Sequence, residues 1–209
     1  MKHNPYPIYF TFPALLLYLG LVILPGLAGI WYSFTDWHVV RPNPAFVGLE
    51  NYIKILTSID TYGRYIGNTV FFTIIANIVK LVPAFFIALA LSGRMPGRNL
   101  YRAIVFFPAV LSFVVVGLIF RSMLHPTRGL VNEILNVSGA GSLAQRWLVD
   151  RQWVWPSIFA VDAWRGIGYA MTIFLAGIQT IPKDYYDAAD IDGAGSFSRV
   201  RHIVLPLVV

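Results

Sequence analysis

Long apolar runs separated by polar connectors dominate the pattern of this chain. Between Lys2 and Asp36 there is no Asp, Glu, Lys or Arg, and IYFTFPALLLYLGLVILPGLAGIWYSF fills that interval. A second run, IGNTVFFTIIANIVKLVPAFFIALALS, covers 66–92, and a third, AIVFFPAVLSFVVVGLIF, covers Ala103 to Phe120. The fourth, VWPSIFAVDAWRGIGYAMTIFLAGIQT, covers 154–180. An α-helix needs about 20 mostly apolar residues to cross the hydrocarbon core of a bilayer. The pattern therefore predicts four membrane-spanning helices and an all-α polytopic membrane protein. Tyr9, Phe10, Trp31 and Tyr32 place aromatic rings at both ends of the first run, where the lipid–water interfaces fall. That run exceeds the roughly 7–15 apolar residues of a signal peptide, so it reads as a retained anchor. Each run contains proline, which membrane helices tolerate, and kinks are expected near Pro25, Pro83 and Pro108.

Composition supports the same class. Apolar residues make up 57% of the chain and charged residues 12%, against about 25% charged in soluble domains. There is no cysteine, so disulfides, thiolate chemistry and Cys-based zinc sites are excluded. The net charge of +6 lies in connectors between apolar runs and forms no stripe, which favours a membrane-orientation signal over nucleic-acid binding. Alternate connectors must share one side of the membrane. Lys2, Arg94, Arg98, Arg102, Lys183, Arg199 and Arg201 fall on the side of the N-terminus; Arg41, Lys54, Arg64, Arg121, Arg128, Arg146 and Arg151 fall on the other. The count is equal, but the short connector GRMPGRNLYR (93–102) carries three arginines and no acid. Positive charge in short loops sets topology, so the N-terminus is expected in the cytoplasm.

Catalytic patterns are missing. His3, His38, His125 and His202 are scattered, and there is no HExxH helix, no GxxxxGK[ST] phosphate loop and no GxSxG elbow. No catalytic residue, metal site or bound cofactor is expected, and the chain reads as a non-enzyme. Ionisable residues inside the spans are the remaining candidates: Lys80 in the second, Asp162 and Arg165 in the fourth. Such charges usually face a pathway or a partner. Asp162 and Arg165 are three apart, so a local pair on one helix face is expected, either fixing helix packing or lining a path. For Lys80 a bundle partner or a snorkelling position is favoured over substrate contact. Asn68 and Asn77 read as interhelical hydrogen bonders.

The polar stretch after the fourth run has an internal order. Pro182 precedes KDYYDAAD, whose Asp184 and Asp187 suit the positive end of a helix dipole. Gly193 can take the left-handed geometry that ends a helix. Ser196 is placed to cap a second helix, FSRVRHIVL, bearing Arg199, Arg201 and His202. Pro206 then marks the beginning of another apolar segment, LPLVV. A compact helix-turn-helix at a membrane surface fits another protein's groove better than a plain connector does.

The spacing here carries a resemblance. Asp187-Ala188-Ala189, three residues, Gly193, nine residues, Ile203, one residue and Leu205-Pro206 resemble the EAA motif of permease subunits of binding-protein-dependent ABC importers. Asp187 is one methylene shorter than the usual Glu. FVGLENY, GNTVFFT, YRAIVFFPAVLS and the segment from Asp162 to Gly195 are similar to the carbohydrate-uptake branch, including its maltose-type and glycerol-3-phosphate-type permeases. The resemblance implies the type-1 transmembrane fold, with residues 1–65 as N-terminal helix and extracytoplasmic loop and 66–209 as an incomplete type-1 domain. It implies a cytoplasmic coupling loop at 182–206 that docks an ATPase through Tyr186, Asp187, Ala188, Ala189, Gly193, Ile203, Leu205 and Pro206. It also implies a second permease subunit, ATPase subunits that use the ATP, an extracytoplasmic sugar-binding protein, and a bacterial or archaeal plasma membrane. Such permeases have six spans; four and the start of a fifth are present, as expected of a C-terminally truncated chain. An ion-coupled secondary transporter or a non-transporting scaffold is the alternative.

Overall fold

The computed structural model describes residues 8–40, 43–93 and 95–208. Lys2, His3, Arg41 and Arg94, which enter the readings above, lie outside the described residues. Helices account for nearly all regular structure described; the one β feature among the described residues is an isolated bridge between Thr35 and Phe46. The chain divides into two units, Met1–Thr69 and Val70–Val209.

In the first unit, helix α1 runs over Tyr9–Ser33 and has no buried residue in its most apolar stretch. A soluble protein would not leave such a surface uncovered; in hydrocarbon, with the backbone paired internally, it costs nothing. A π-helical turn, Leu19–Ile23, immediately precedes Pro25. Such a turn accommodates a residue that has no N–H to give the helix. The segment FVGLENY folds back on the end of α1. Val47 and Gly48 donate to the Phe34 carbonyl, and the Asn51 amide donates to the carbonyls of Ser33 and Thr35 at 2.9 and 2.8 Å. Asn51 thus satisfies acceptors that a helix end leaves open. Helix α2 (Glu50–Thr57) starts within this clasp, in a connector that carried no helix in the sequence reading.

Helix α3 spans Ile59–Ser92, starts seven residues before the predicted span and runs unbroken through Pro83. The predicted third span is two helices, α4 (Arg98–Val110) and α5 (Phe113–Met123), bent by 93° at Leu111 and Ser112. This corrects the expected continuous helix. Proline removes a backbone donor and disfavours helix in the residue before it, and here the helix ends two residues beyond Pro108, at Val110, instead of bending at it. Among the described residues three helices are long and apolar enough to cross a membrane, and the bent pair makes a fourth if it acts as one span. After the short α6 (Leu130–Val137), helix α7 spans Arg151–Thr180. The connector leading into it is pinned by Asn132. Its amide donates to the carbonyls of Pro126 and Gln145, and its Oδ1 accepts from the Gln145 N–H and from Trp147 Nε1.

The core of the second unit lies between α3 and α7, where Ala84, Phe85, Ala88 and Leu91 meet Ala170, Met171, Leu175 and Ile178. Small residues let membrane helices approach closely, because the attraction between them is mainly van der Waals contact. Gly168 of α7 is the tightest case. A Cβ there would overlap the Val105 carbonyl of α4 and stand 2.7 Å from Phe106 Cα. Gly168→Ala should therefore destabilise the protein by about 1–3 kcal/mol through overpacking. Gly117→Ala, where nothing lies within 4 Å of the added carbon, should not. Thermal unfolding of both variants in detergent checks the contrast, and equal melting temperatures would contradict it.

Candidate functional site

Two places concentrate polar groups: a cleft among the helices of the second unit and the helix-turn-helix after α7. The cleft, of about 570 Å³, is lined by Asn77, Lys80, Phe113, Asp162, Arg165 and Tyr169 among others. Lys80 Nζ stands 2.8 Å from Asp162 Oδ2, an ion contact without the directionality of a hydrogen bond. The Lys80 stem lies across Gly166, whose hydrogen leaves room for it; a Cβ there would come within 2.5 Å of Lys80 Cδ. The expected local pair of Asp162 with Arg165 does not form. Arg165 turns the other way: its Nε donates to the Leu111 carbonyl at 3.3 Å, and its guanidinium sits 3.4 Å above the Phe113 ring. The break between α4 and α5 frees that carbonyl, so Arg165 pins the bend and the start of α5 to α7 by a charge-assisted hydrogen bond and a cation–π contact. Asn77 does not bridge helices either; it bonds back to the Thr73 carbonyl of its own helix.

Sequence spacing selected the nearest pair of opposite charges. It missed the carbonyl exposed by the bend, which competes for Arg165, and the glycine that lets Lys80 lie flat. The signal present in the sequence was the imbalance of two cations and one anion inside the spans.

The helix-turn-helix follows directly. Helix α8 covers Lys183–Ile191, and Gly193 has φ +70°. The Gly193 N–H bonds to the Asp190 carbonyl at 3.2 Å and the Ala194 N–H to the Ala189 carbonyl at 2.8 Å. These are the two bonds of a Schellman C-cap, which requires the left-handed geometry that glycine adopts without strain. Helix α9 (Ser196–Arg199) continues through a π-helical stretch, Val200–Val204, into helix α10 (Leu205–Val208). Ser196 is not the cap: Gly195 holds the N-cap position, Ser196 is the first helical residue, and there is no side-chain cap bond. As before Pro25, the π turn comes just ahead of a proline, Pro206.

Two faces result. Ala189 is buried, Val204 is buried in the α3–α7 core, and Tyr186 and Val200 pack against that core. Partial burial pushes the Tyr186 phenol above its usual range, so it is neutral near pH 7. On the other face Asp187 and Ala188 are exposed and Ile191 is 87% exposed; Phe197, also exposed, borders an apolar groove beside Leu81, Val82 and Phe86 of α3 instead. Asp187 reaches only Lys183, at 3.7 Å along its own exposed helix, a type of pair that contributes little to stability. Ile203 is half-buried, and Leu205 and Pro206 are exposed. Among the described residues no cluster of His, Asp or Glu could hold a metal ion.

Comparison with known proteins gives a consistent result. Residues 63–209 match the family described as binding-protein-dependent transport system inner membrane component. The chain is 34% identical over 205 residues to the multiple sugar-binding transport system permease protein MsmF of Streptococcus mutans, covering 96% of this chain and 68% of that one. It is 32% identical over 197 residues to the trehalose/maltose transport system permease protein MalF of Thermococcus litoralis, covering 94% and 65%. In fold it matches a chain of a bacterial alginate ABC transporter solved with an alginate pentasaccharide-bound periplasmic protein, with a TM-score of 0.79 at 21% identity over 96% of this chain and 66% of that one. The chain spans about two thirds of the length of these relatives.

The Lys80–Asp162 contact makes a specific prediction. Lys80→Met and Asp162→Asn should each destabilise the protein, because each leaves one charge unpaired in an apolar bundle. The double substitution should cost less than the sum, with a coupling of about 0.5–3 kcal/mol. A double-mutant cycle of melting temperatures measures it, and strict additivity would show that the two charges act independently.

Proposed function

The chain belongs to the family of binding-protein-dependent transport system inner membrane components, and on that premise we propose that it is the permease subunit of an ATP-driven sugar importer. It forms half of a translocation pathway together with a second permease subunit. Its N-terminus lies in the cytoplasm, as does the 182–206 loop. ATPase subunits dock there, bind the ATP and hydrolyse it. An extracytoplasmic binding protein delivers the sugar from the other side. The names of the relatives, multiple sugars and trehalose/maltose, support a sugar as the cargo. The family match does not favour the ion-coupled carrier.

The observation that carries this reading is the division of the loop into two faces. Docking needs an accessible surface with few internal obligations, and Asp187, Ala188 and Ile191 provide one. Coupling needs a rigid attachment to the membrane helices, and Tyr186, Val200 and Val204 provide it through the core. Closure of the ATPase pair on ATP displaces α8, and the packed inner face passes that displacement to α3 and α7. The bundle then exchanges between outward-open and inward-open arrangements. The polar cleft at Lys80, Asp162 and Arg165 contributes to the path of the sugar, with aromatic and hydrogen-bonding groups of the kind that bind polyols.

Gly193 is the most sensitive position of this loop. A side chain at φ +70° strains the turn and misdirects both arms. Gly193→Asp in the full-length protein should abolish ATP-dependent sugar uptake while the protein still reaches the membrane. Transport assays on membrane vesicles, with immunoblots for protein level, decide the matter: normal uptake would refute the coupling role of the loop.

A further inference from the structure

The two arms of the loop meet at Gly193-Ala194-Gly195, and at neither glycine would a Cβ find a heavy atom within 4 Å. Left to itself, such a turn is a soft joint. One side chain spans it. Arg199, in the first turn of α9, places Nη2 2.5 Å from Asp190 Oδ1 on α8. The same guanidinium donates through Nε to the Ala194 carbonyl at 2.9 Å. A single planar group belonging to α9 therefore holds the last turn of α8 and the middle of the joint together. Lysine cannot do this, because a point-like ammonium lacks the rigid fork that serves two acceptors in fixed directions.

We propose that Arg199 is a positioning residue that stiffens the Gly193–Gly195 joint, so that displacement of α8 passes to α9 and α10 instead of being absorbed in the turn. The inference rests on the coupling role proposed above. An exposed ion pair adds little to overall stability. Its effect here is on the angle between two short helices: with Arg199 bound at both points they move as one lever, and without it they hinge.

The test uses the full-length chain assembled with its partner permease and ATPase. The chain has no cysteine of its own, so nitroxide labels can be placed on cysteines at Tyr185, exposed on α8, and at Leu207 in α10. Pulsed electron paramagnetic resonance then measures their separation, first without nucleotide and then with ATP and vanadate. The unsubstituted complex should give one narrow distance, the same in both conditions. Arg199→Ala should broaden it and add a second, nucleotide-dependent distance. Arg199→Lys, which keeps the ion pair with Asp190 but not the bond to Ala194, should fall between. Assembly and basal ATP hydrolysis should stay at the unsubstituted level, which a general loss of structure would not allow. An unchanged distance distribution in Arg199→Ala, or a broad one already present in the unsubstituted complex, overturns the proposal. If the unsubstituted chain recovers no ATPase subunit at all, the coupling role itself fails, and the proposal fails with it for that separate reason.

Discussion

The packing of α7 against α4 and α3 is the contact on which the second unit depends. It is built from alanines, Met171, Leu175 and Ile178, and it continues without interruption into the loop through Tyr186, Val200 and Val204. In lipid, hydrophobic burial does not drive helices together, because the tails are as apolar as the side chains. Close fit must supply the attraction, which explains the small residues on the facing surfaces and the glycine that brings α4 to α7. The same constraint gives the loop its mechanical meaning. A surface element attached by dense packing moves with the helices it is attached to.

Several charged groups inside this bundle find partners that the fold creates. Lys80 meets Asp162 across two helices. Arg165 occupies the carbonyl opened by the break at Leu111, and Arg102 donates to the Leu91 carbonyl near the end of α3. The two arginine contacts hold a helix break and a helix end, where the backbone has lost its own bonds. Arg199 does the same for the turn of the loop. The arginines that the sequence suggests as orientation signals thus also serve as caps, since a long side chain with several donors can do both.

Much of the architecture was legible because its causes are local or periodic. Apolar run lengths gave α1, α3 and α7, and the spacing around Asp187, Gly193 and Pro206 gave both arms of the loop and the turn between them. The left-handed glycine was legible because few other residues tolerate that geometry. What the sequence hid depends on positions distant along the chain. The 93° bend after Pro108 looked like a kink, since no local signal distinguishes bending from breaking. The partner of Asp162 lies eighty-two positions before it, and proximity in sequence pointed to Arg165 instead. Ser196 looked like a cap by residue type, but Gly195 took that position and left the serine in the helix.

The central claim is that the 182–206 loop faces the cytoplasm and docks an ATPase through its exposed face. A cysteine at Ile191, which is 87% exposed, tests it most directly in a chain that has none of its own. In right-side-out vesicles containing the full-length protein, that cysteine should resist a membrane-impermeant maleimide. In inverted vesicles it should react, and a short bifunctional reagent should join it to the ATPase subunit. Labelling from the outside, or accessibility from the inside with no cross-link to the ATPase, would contradict the account.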